Sequence, residues 1–88
     1  MIAVTERAKE ELKTMLIACE AGHEEGLRLL PRPDGLFMLT LDSKLPGDQV
    51  VEYQGFKVLL VGFEYSKLLD GKTLECQDTE YETALFVR

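Results

Sequence analysis

The first quarter of the chain carries apolar residues at helical spacing. The positions that share one helical face are Ala8, Leu12, Met15, Leu16 and Cys19. Thr5 precedes this pattern as a candidate N-cap, and Gly22 suits the left-handed residue that ends many helices. The pattern predicts one amphipathic helix over residues 5–21, which packs its apolar face on a larger body.

The rest of the chain has the short apolar runs that are typical of β-strands. The predicted strands are 27–30, 36–41, 50–53, 56–61, 73–77 and 84–87. Strands 36–41 and 56–61 carry apolar residues at both sets of alternating positions, as strands covered on both faces do. We therefore expect these two strands at the centre of the core.

Turn residues separate the predicted strands. The first two strands flank Pro31-Arg32-Pro33-Asp34-Gly35, Gln54-Gly55 is a two-residue hairpin signal, and Asp70-Gly71 reverses the chain. We expect Gly71 to hold a positive φ, since glycine accepts that conformation at little cost. Residues 62–69 have room for one or two helical turns with Tyr65, Leu68 and Leu69 on one face.

These elements predict a single domain over residues 1–88. Six short strands after one helix indicate a mainly β, α+β protein, in which a meander closes into a compact β-sandwich. A chain of this length buries roughly 60 to 65% of the surface that it exposes when unfolded. The chain is therefore long enough for only one modest hydrophobic core.

The charge of the chain restricts its partners and its location. Sixteen acidic and ten basic residues give a net charge of −6, and the lysines and arginines are scattered. Nucleic acids and anionic membrane surfaces would be repelled. No apolar segment approaches the roughly 18 residues of a membrane span, and residues 1–7 lack the features of a signal peptide. We expect a cytoplasmic protein, monomeric or weakly homodimeric, with an unknown protein as its partner.

Cys19, Cys76 and His23 are the soft metal ligands of the chain. Two cysteines are too few for a disulfide framework, and core packing is the favoured role of both. Cys19 and His23 have the i, i+4 spacing that could begin a zinc or iron site. Because Gly22 is expected to end the helix between them, a core thiol and an exposed imidazole are favoured instead.

The sequence contains few residues from which a catalytic site could be built. A nucleophilic triad would need His23 with Ser43 or Ser66, and neither serine lies in a strand-to-helix elbow. The glycines are dispersed at turns and form no phosphate loop. Four aspartates lie in loops or turns, where capping of backbone amides is favoured over acid–base pairing: Asp34, Asp42, Asp48 and Asp70. We predict that the protein is not an enzyme.

The acidic stretch over residues 78–82 leaves two alternatives open. It could form a patch for a basic partner, with Tyr81 as an aromatic anchor. It could equally be a solvated loop, which is favoured because charge runs are common in small acidic proteins.

Four segments resemble the HesB-like, A-type iron-sulfur cluster carrier family over nearly the whole chain. They are the residues Val-Thr-Glu-Arg-Ala-Lys-Glu-Glu-Leu from Val4, Gly-Leu-Arg-Leu-Leu from Gly26, Gly-Asp-Gln-Val-Val-Glu-Tyr-Gln-Gly-Phe-Lys-Val-Leu-Leu-Val from Gly47, and Leu-Asp-Gly-Lys-Thr-Leu-Glu from Leu69. The resemblance implies the compact sandwich of that family.

The resemblance also implies that the cluster ligands are absent. The family places one cysteine in a Gly-Cys-Ser-Gly-like turn and a Cys-Gly-Cys pair in a C-terminal tail. The matching turn puts Arg32 or Pro33 at the first position, and the sequence reaches Arg88 before the tail would begin. Cys76 falls where the family carries a non-ligand residue. We accordingly assign no catalytic, cofactor-binding or metal residue and expect no cofactor.

Two functions from different classes remain. The favoured one is a degenerate member of the family, a non-catalytic binding or scaffold module that carries no cluster. The alternative is a divergent iron-sulfur or iron carrier, in which a dimer pools two Cys76 thiolates with His23 or carboxylates. Cluster binding is visible by colour, so the two are readily separated.

Overall fold

The computed structural model describes residues 1–88 and contains seven strands and two short helices. In chain order they are β1 (Ala3–Val4), α1 (Glu6–Ala18), β2 (Glu25–Pro31), β3 (Phe37–Ser43), β4 (Gln49–Tyr53), β5 (Phe56–Val61), α2 (Ser66–Leu69), β6 (Thr73–Asp78) and β7 (Thr83–Val87), with a 3₁₀ turn at Phe63–Tyr65 before α2. The mainly β, α+β class and the single N-terminal amphipathic helix are confirmed. Neither helix has the length and apolar character needed to cross a membrane.

The strands form two sheets. One has the order β1-β6-β7 and the other the order β3-β2-β5-β4. Three pairings are antiparallel hairpins between consecutive strands, but β2 runs parallel to β5 and β1 runs parallel to β6. The strand order therefore departs from a simple meander. Two residues are too few for a periodic pattern, which is why β1 was not predicted.

Helix α1 begins as predicted but ends earlier. The Thr5 hydroxyl accepts a hydrogen bond from the Ala8 amide at 3.2 Å, which confirms the N-cap. At the other end Glu20, and not Gly22, takes the left-handed conformation, with φ at 53°. The Ala21 amide donates to the Leu16 carbonyl, the six-to-one bond of a Schellman motif. The helix ends at Ala18, and Ala21, which follows the left-handed residue, packs against the core.

The core lies between α1 and the two sheets. Ala8, Leu12 and Leu16 are buried, which confirms the predicted docking face of the helix. The residues that they join in the core are Ile2, Leu27, Leu29, Val58, Leu59, Val61, Leu69 and Leu74. Strand β5 is buried from Val58 to Val61, so its predicted central place is confirmed.

The predicted central place of β3 is wrong. This strand is the edge of its sheet, paired only with β2. Phe37 and Leu39 pack against the core, whereas Leu36 and Met38 are largely exposed. A strand with apolar residues on both faces predicts cover on both faces, but no element of the chain covers the outer face here.

The predicted positive φ of Gly71, in the turn after α2, is confirmed. Gly71 has a φ of +76°, and no atom lies within 4 Å of the place where a Cβ would stand. Leu69 is buried as the last residue of α2, while Leu68 points to solvent. Of the three residues predicted to share a face, Leu69 alone is fully in the core.

Candidate functional site

The turn at residues 31–35 is closed by its own hydrogen bonds. The Arg32 amide donates to the Leu36 carbonyl at 2.8 Å, and the Gly35 amide donates to the Arg32 carbonyl at 3.1 Å. The Asp34 carboxylate accepts from the Leu36 amide at 3.0 Å. Gly35 has a φ of +84°. The turn therefore presents the side chains of Arg32 and Pro33 on the surface, at the place where the resemblance puts a ligand cysteine.

A depression of about 430 Å³, here called the turn pocket, opens beside this turn. Residues from the turn, β2, β3, α2 and β7 meet there: Leu29, Pro31, Arg32, Pro33, Gly35, Leu36, Phe37, Leu68, Leu69, Lys72 and Val87. Leu29 and Leu69 are buried, so they form its floor. Arg32 and Lys72 are exposed at its rim. The pocket thus combines an apolar base with cationic edges.

A second apolar depression, of about 530 Å³, lies on the other side of the same turn. Its lining residues are Met15, Gly35, Leu36, Phe37, Leu39, Leu85, Phe86 and Val87. It shares Gly35, Leu36, Phe37 and Val87 with the turn pocket. The two depressions form one surface, here called the turn face, along the adjoining edges β3 and β7. Leu36 is 65% exposed at its centre.

The thiol of Cys76 lies on β6 opposite Leu85 of β7. It is half-buried and packs against the core, as predicted from its alternation with Leu74. Burial raises the pKa of the Cys76 thiol, and the nearby Arg7 guanidinium opposes this shift. Cys76 lines no depression in the surface. Its environment favours the neutral thiol over a ligand thiolate.

The predicted core position of Cys19 is wrong. Cys19 is the C-cap of α1 and is exposed, although Leu16 in the same last turn is buried. His23 is exposed, as predicted, and lines a shallow depression with Gly22 and Gly55. The left-handed Glu20 breaks the helix between Cys19 and His23, so their i, i+4 spacing is not helical. No group of three or more His, Cys, Asp and Glu side chains is arranged to hold a metal ion.

The four aspartates bind backbone amides or cationic groups, and Asp42 lies on β3 instead of in the predicted loop or turn. Asp34 accepts from the Leu36 amide, and Asp70 accepts from the amino group of Met1 at 2.6 Å. Asp42 and Asp48 both bind Arg28. No hydrogen bond joins His23 to Ser43 or Ser66, and the structure does not assemble the triad that those residues would need.

Arg28 is the buried charged residue that the sequence reading missed. Its guanidinium donates to Asp42 at 2.6 Å, to both carboxylate oxygens of Asp48 at 3.0 and 2.7 Å, and to the Ser43 carbonyl at 3.0 Å. These hydrogen bonds hold the pKa of Asp48 below its ordinary value. The available signal was an arginine inside the apolar run at residues 27–30, since a buried charge requires a partner. Arg28 binds Asp42 and Ser43 at the end of β3 and Asp48 in the loop that follows, and this makes it a structural clamp.

The acidic segment over residues 78–82 is held by local hydrogen bonds to Thr79 and by an ion pair between Asp78 and the distant Arg7. The Thr79 hydroxyl accepts from the amides of Tyr81 and Glu82, and Asp78 binds Arg7 through both carboxylate oxygens at 2.7 Å. The Tyr81 side chain extends into solvent and is 90% exposed. Both the solvated loop and the partner patch agree with this exposure, so the favoured loop stays a prediction.

No protein-family model and no curated protein matches the sequence. Solved structures are similar to it over the whole chain. SufA of Escherichia coli, involved in biosynthesis of iron-sulfur clusters, has a TM-score of 0.71 and 19% identity, with 99% of this chain and 83% of SufA covered. A protein from Aquifex aeolicus has a TM-score of 0.70 and 23% identity, with 99% and 89% covered.

A third similar structure is IscA with a [2Fe-2S] cluster. Its TM-score is 0.68 at 18% identity, and the match covers 100% of this chain and 84% of IscA. These similarities confirm that the chain has the HesB-like fold of the A-type iron-sulfur carriers, which the resemblance in the sequence implied. At such identities they establish the fold, and the function has to be argued from the residues present.

Proposed function

We propose that this protein is a non-catalytic binding module, built on the fold of the iron-sulfur carriers, which holds no cluster of its own. Its working surface is the turn face. SufA is involved in cluster biosynthesis and IscA was solved with a [2Fe-2S] cluster, so the module belongs to the same process as a binding or scaffold component.

The residues of the turn carry this proposal. Thiolates provide the affinity of proteins for iron-sulfur clusters. In the matching turn this chain presents the guanidinium of Arg32 and the ring of Pro33, neither of which binds iron. Beside the turn lies an apolar pocket with a cationic rim. Those are features of a surface that binds organic groups.

The positions of the two thiols support the same function. Cys76 is half-buried on β6 with a raised pKa, and Cys19 is exposed at the end of α1. Neither lines the turn pocket. A carrier that pools Cys76 across a dimer would have to expose this thiol and ionise it, and both steps oppose its packing against the core.

A catalytic role is also disfavoured by the residues. The loop carboxylates are occupied by Arg28, by backbone amides and by the amino group of Met1. Acid–base chemistry needs a carboxylate or imidazole in reach of a substrate, with a pKa suited to the proton transfer. Hydrogen bonds lower the pKa values of Asp42, Asp48 and Asp70, which makes them weak bases.

The remaining parts of the proposal concern assembly and location. We propose a cytoplasmic monomer or weak homodimer that binds a protein partner and has no affinity for nucleic acid or membranes. The net charge of −6 supports the last two points, because it repels phosphate groups. Sedimentation velocity over a wide concentration range tests the assembly state, and a stable dimer at low concentration would overturn it.

Anaerobic reconstitution tests the function. The purified protein is incubated with ferrous iron and sulfide, desalted, and examined by ultraviolet-visible spectroscopy with iron and sulfide analysis. We expect no stable visible chromophore and no stoichiometric iron. Cys19→Ala and Cys76→Ala variants serve as matched controls, with circular dichroism to confirm folding. A chromophore that Cys76→Ala abolishes in a folded protein would replace the binding module with the divergent carrier.

A further inference from the structure

We propose that the turn pocket binds a small amphipathic carboxylate, a molecule with one apolar chain and one carboxylate group. This inference rests on the proposed binding function and names the ligand class of its surface. The reconstitution experiment tests the function through cluster binding. The titration described below tests the ligand, and the two can therefore fail separately.

The dimensions of the pocket suit a small molecule. Its volume of about 430 Å³ lies within the range of roughly 300 to 1,000 Å³ that is usual for small-molecule sites. Leu29 and Leu69 close it from below and are both nearly inaccessible to water. Phe37 and Val87 form its walls. An apolar chain that enters this space would remove hydrophobic surface from water on several sides.

The charged groups of the pocket are all cationic. Arg32 and Lys72 line it, and no carboxylate does. The Lys72 ammonium makes no ion pair within the protein, whereas Arg32 makes one long contact of 3.5 Å with the exposed Asp34. In a chain with a net charge of −6, a pocket lined by cations alone differs from the rest of the surface. The charge complementarity therefore selects an anion.

The distribution of these groups selects an amphipathic ligand over a polar anion. The cations lie at the exposed rim, and the apolar side chains lie at the buried floor. An inorganic phosphate would meet the rim and leave the floor unused. A carboxylate with an apolar chain satisfies both, because the chain packs on the exposed side chains of Leu36 and Leu68 above that floor while the charge stays at the solvent edge beside Lys72 or Arg32.

Titration with octanoate, followed by amide and methyl NMR, tests the proposal. We expect saturable shifts confined to the turn pocket, including the methyl groups of Leu29 and Leu69. Lys72→Gln should weaken binding about two- to fivefold, the usual effect of losing one exposed ion pair. Lys67→Gln is the matched control, since Lys67 is exposed on α2, makes no ion pair and does not line the pocket. It should leave the affinity unchanged.

A second ligand separates the role of charge from that of the apolar chain. The alcohol 1-octanol has the same chain without the carboxylate, so it should bind more weakly than octanoate to the wild type and equally to wild type and Lys72→Gln. Equal affinity for both ligands would overturn the anionic part of the proposal. Shifts spread over other exposed apolar residues, such as Phe63 and Leu45, would overturn the site.

The same spectra distinguish a peptide ligand. A short peptide with an apolar C-terminal residue and a free carboxylate presents similar chemistry at the end of a chain. If such a peptide produces the shifts at Leu29 and Leu69 and octanoate does not, the surface recognises a protein terminus and the small-molecule proposal is wrong.

Discussion

The guanidinium of Arg28 donates two parallel hydrogen bonds, of 3.0 and 2.7 Å, to the carboxylate of Asp48. Arg28 lies on β2, and Asp48 ends the loop before β4. The Asp48 side chain is only 2% exposed, and its carboxylate also accepts from the Leu45 amide at 2.7 Å. This one pair therefore fastens the long loop between β3 and β4 to the centre of the four-stranded sheet.

Asp48→Asn should be strongly destabilising. The substitution leaves the buried guanidinium short of one charged partner, which costs about 2 to 4 kcal/mol in the free energy of unfolding. Asp42→Asn is the matched control, because Asp42 binds the same guanidinium but is 42% exposed, and its loss should cost less than about 1 kcal/mol. Urea denaturation at pH 7 measures both, and similar losses for the two variants would contradict the clamp.

The protein should lose stability in acid below about pH 4. Hydrogen bonds from Arg28 lower the pKa of Asp48, and those from Arg7 lower the pKa of Asp78 to about 2. A carboxyl whose pKa is lower in the folded state than its unfolded value of about 3.9 stabilises the fold above that value. This stabilisation is lost as the pH falls through the folded pKa values.

Urea denaturation at pH 7, 4 and 2.5 checks this dependence. The free energy of unfolding of the wild type should change little between pH 7 and 4 and should fall steeply below pH 4. Asp48→Asn, which lacks one of the carboxyls with a lowered pKa, should lose less stability than the wild type between pH 4 and 2.5. An equal loss in both proteins would remove Asp48 from the explanation.

Leu12→Ala should cost about 2 to 5 kcal/mol, because Leu12 is fully buried where α1 meets the sheets. Ile17→Ala on the same helix is the control, since Ile17 is 57% exposed and its loss should cost less than about 0.5 kcal/mol. Thermal or urea unfolding distinguishes the two. If both variants are near neutral, α1 does not depend on this contact.

Gly71→Ala should cost about 1 to 2 kcal/mol through its backbone alone. The φ of +76° is strained for a residue with a Cβ, and no atom lies near enough to clash with that Cβ. Gly71→Asn should cost less, because asparagine tolerates this conformation better. An alanine variant as stable as the asparagine variant would show that the turn rearranges.

The two cysteines should differ in reactivity by at least about tenfold. Cys19 is exposed, whereas burial raises the pKa of Cys76 and shields it. Single-thiol proteins, made with Cys76→Ala or Cys19→Ala, can be compared with a chromogenic disulfide reagent under native conditions. In denaturant the two rates should converge. A faster Cys76 in the native protein would indicate an activated thiol.

The elements that local sequence determines were predicted well. The face of Leu12 and Leu16, the Thr5 cap, the Gln54-Gly55 hairpin and the Asp70-Gly71 turn all appear where the pattern placed them. Each depends on residues a few positions apart, either through helical periodicity or through the conformational freedom of a glycine. Such signals lie within one short segment, and they do not require knowledge of the rest of the chain.

The tertiary structure decided what lies at an edge and what is covered. Strand β3 has the apolar pattern of a central strand, yet β2 pairs with β5 on its other side and leaves β3 at the edge. Cys19 has helical spacing with Leu12 and Leu16, and its amide keeps the helical bond to the Met15 carbonyl, yet its side chain is exposed. Whether a residue is buried depends on which distant segment packs against it, and the local sequence pattern does not contain that information.

For the candidate site, too, one part could be predicted from the sequence and another part required the tertiary structure. The resemblance in short sequence motifs is enough to predict that Arg32 or Pro33 falls where the family carries a ligand cysteine, because each motif lies within one segment of the chain. The turn pocket could not be predicted without the fold, because Leu29, the Leu69–Lys72 turn and Val87 come from three separate parts of the chain. Likewise, the run at residues 27–30 shows that Arg28 needs a partner, but only the packing of a loop twenty residues away against β2 identifies that partner as Asp48.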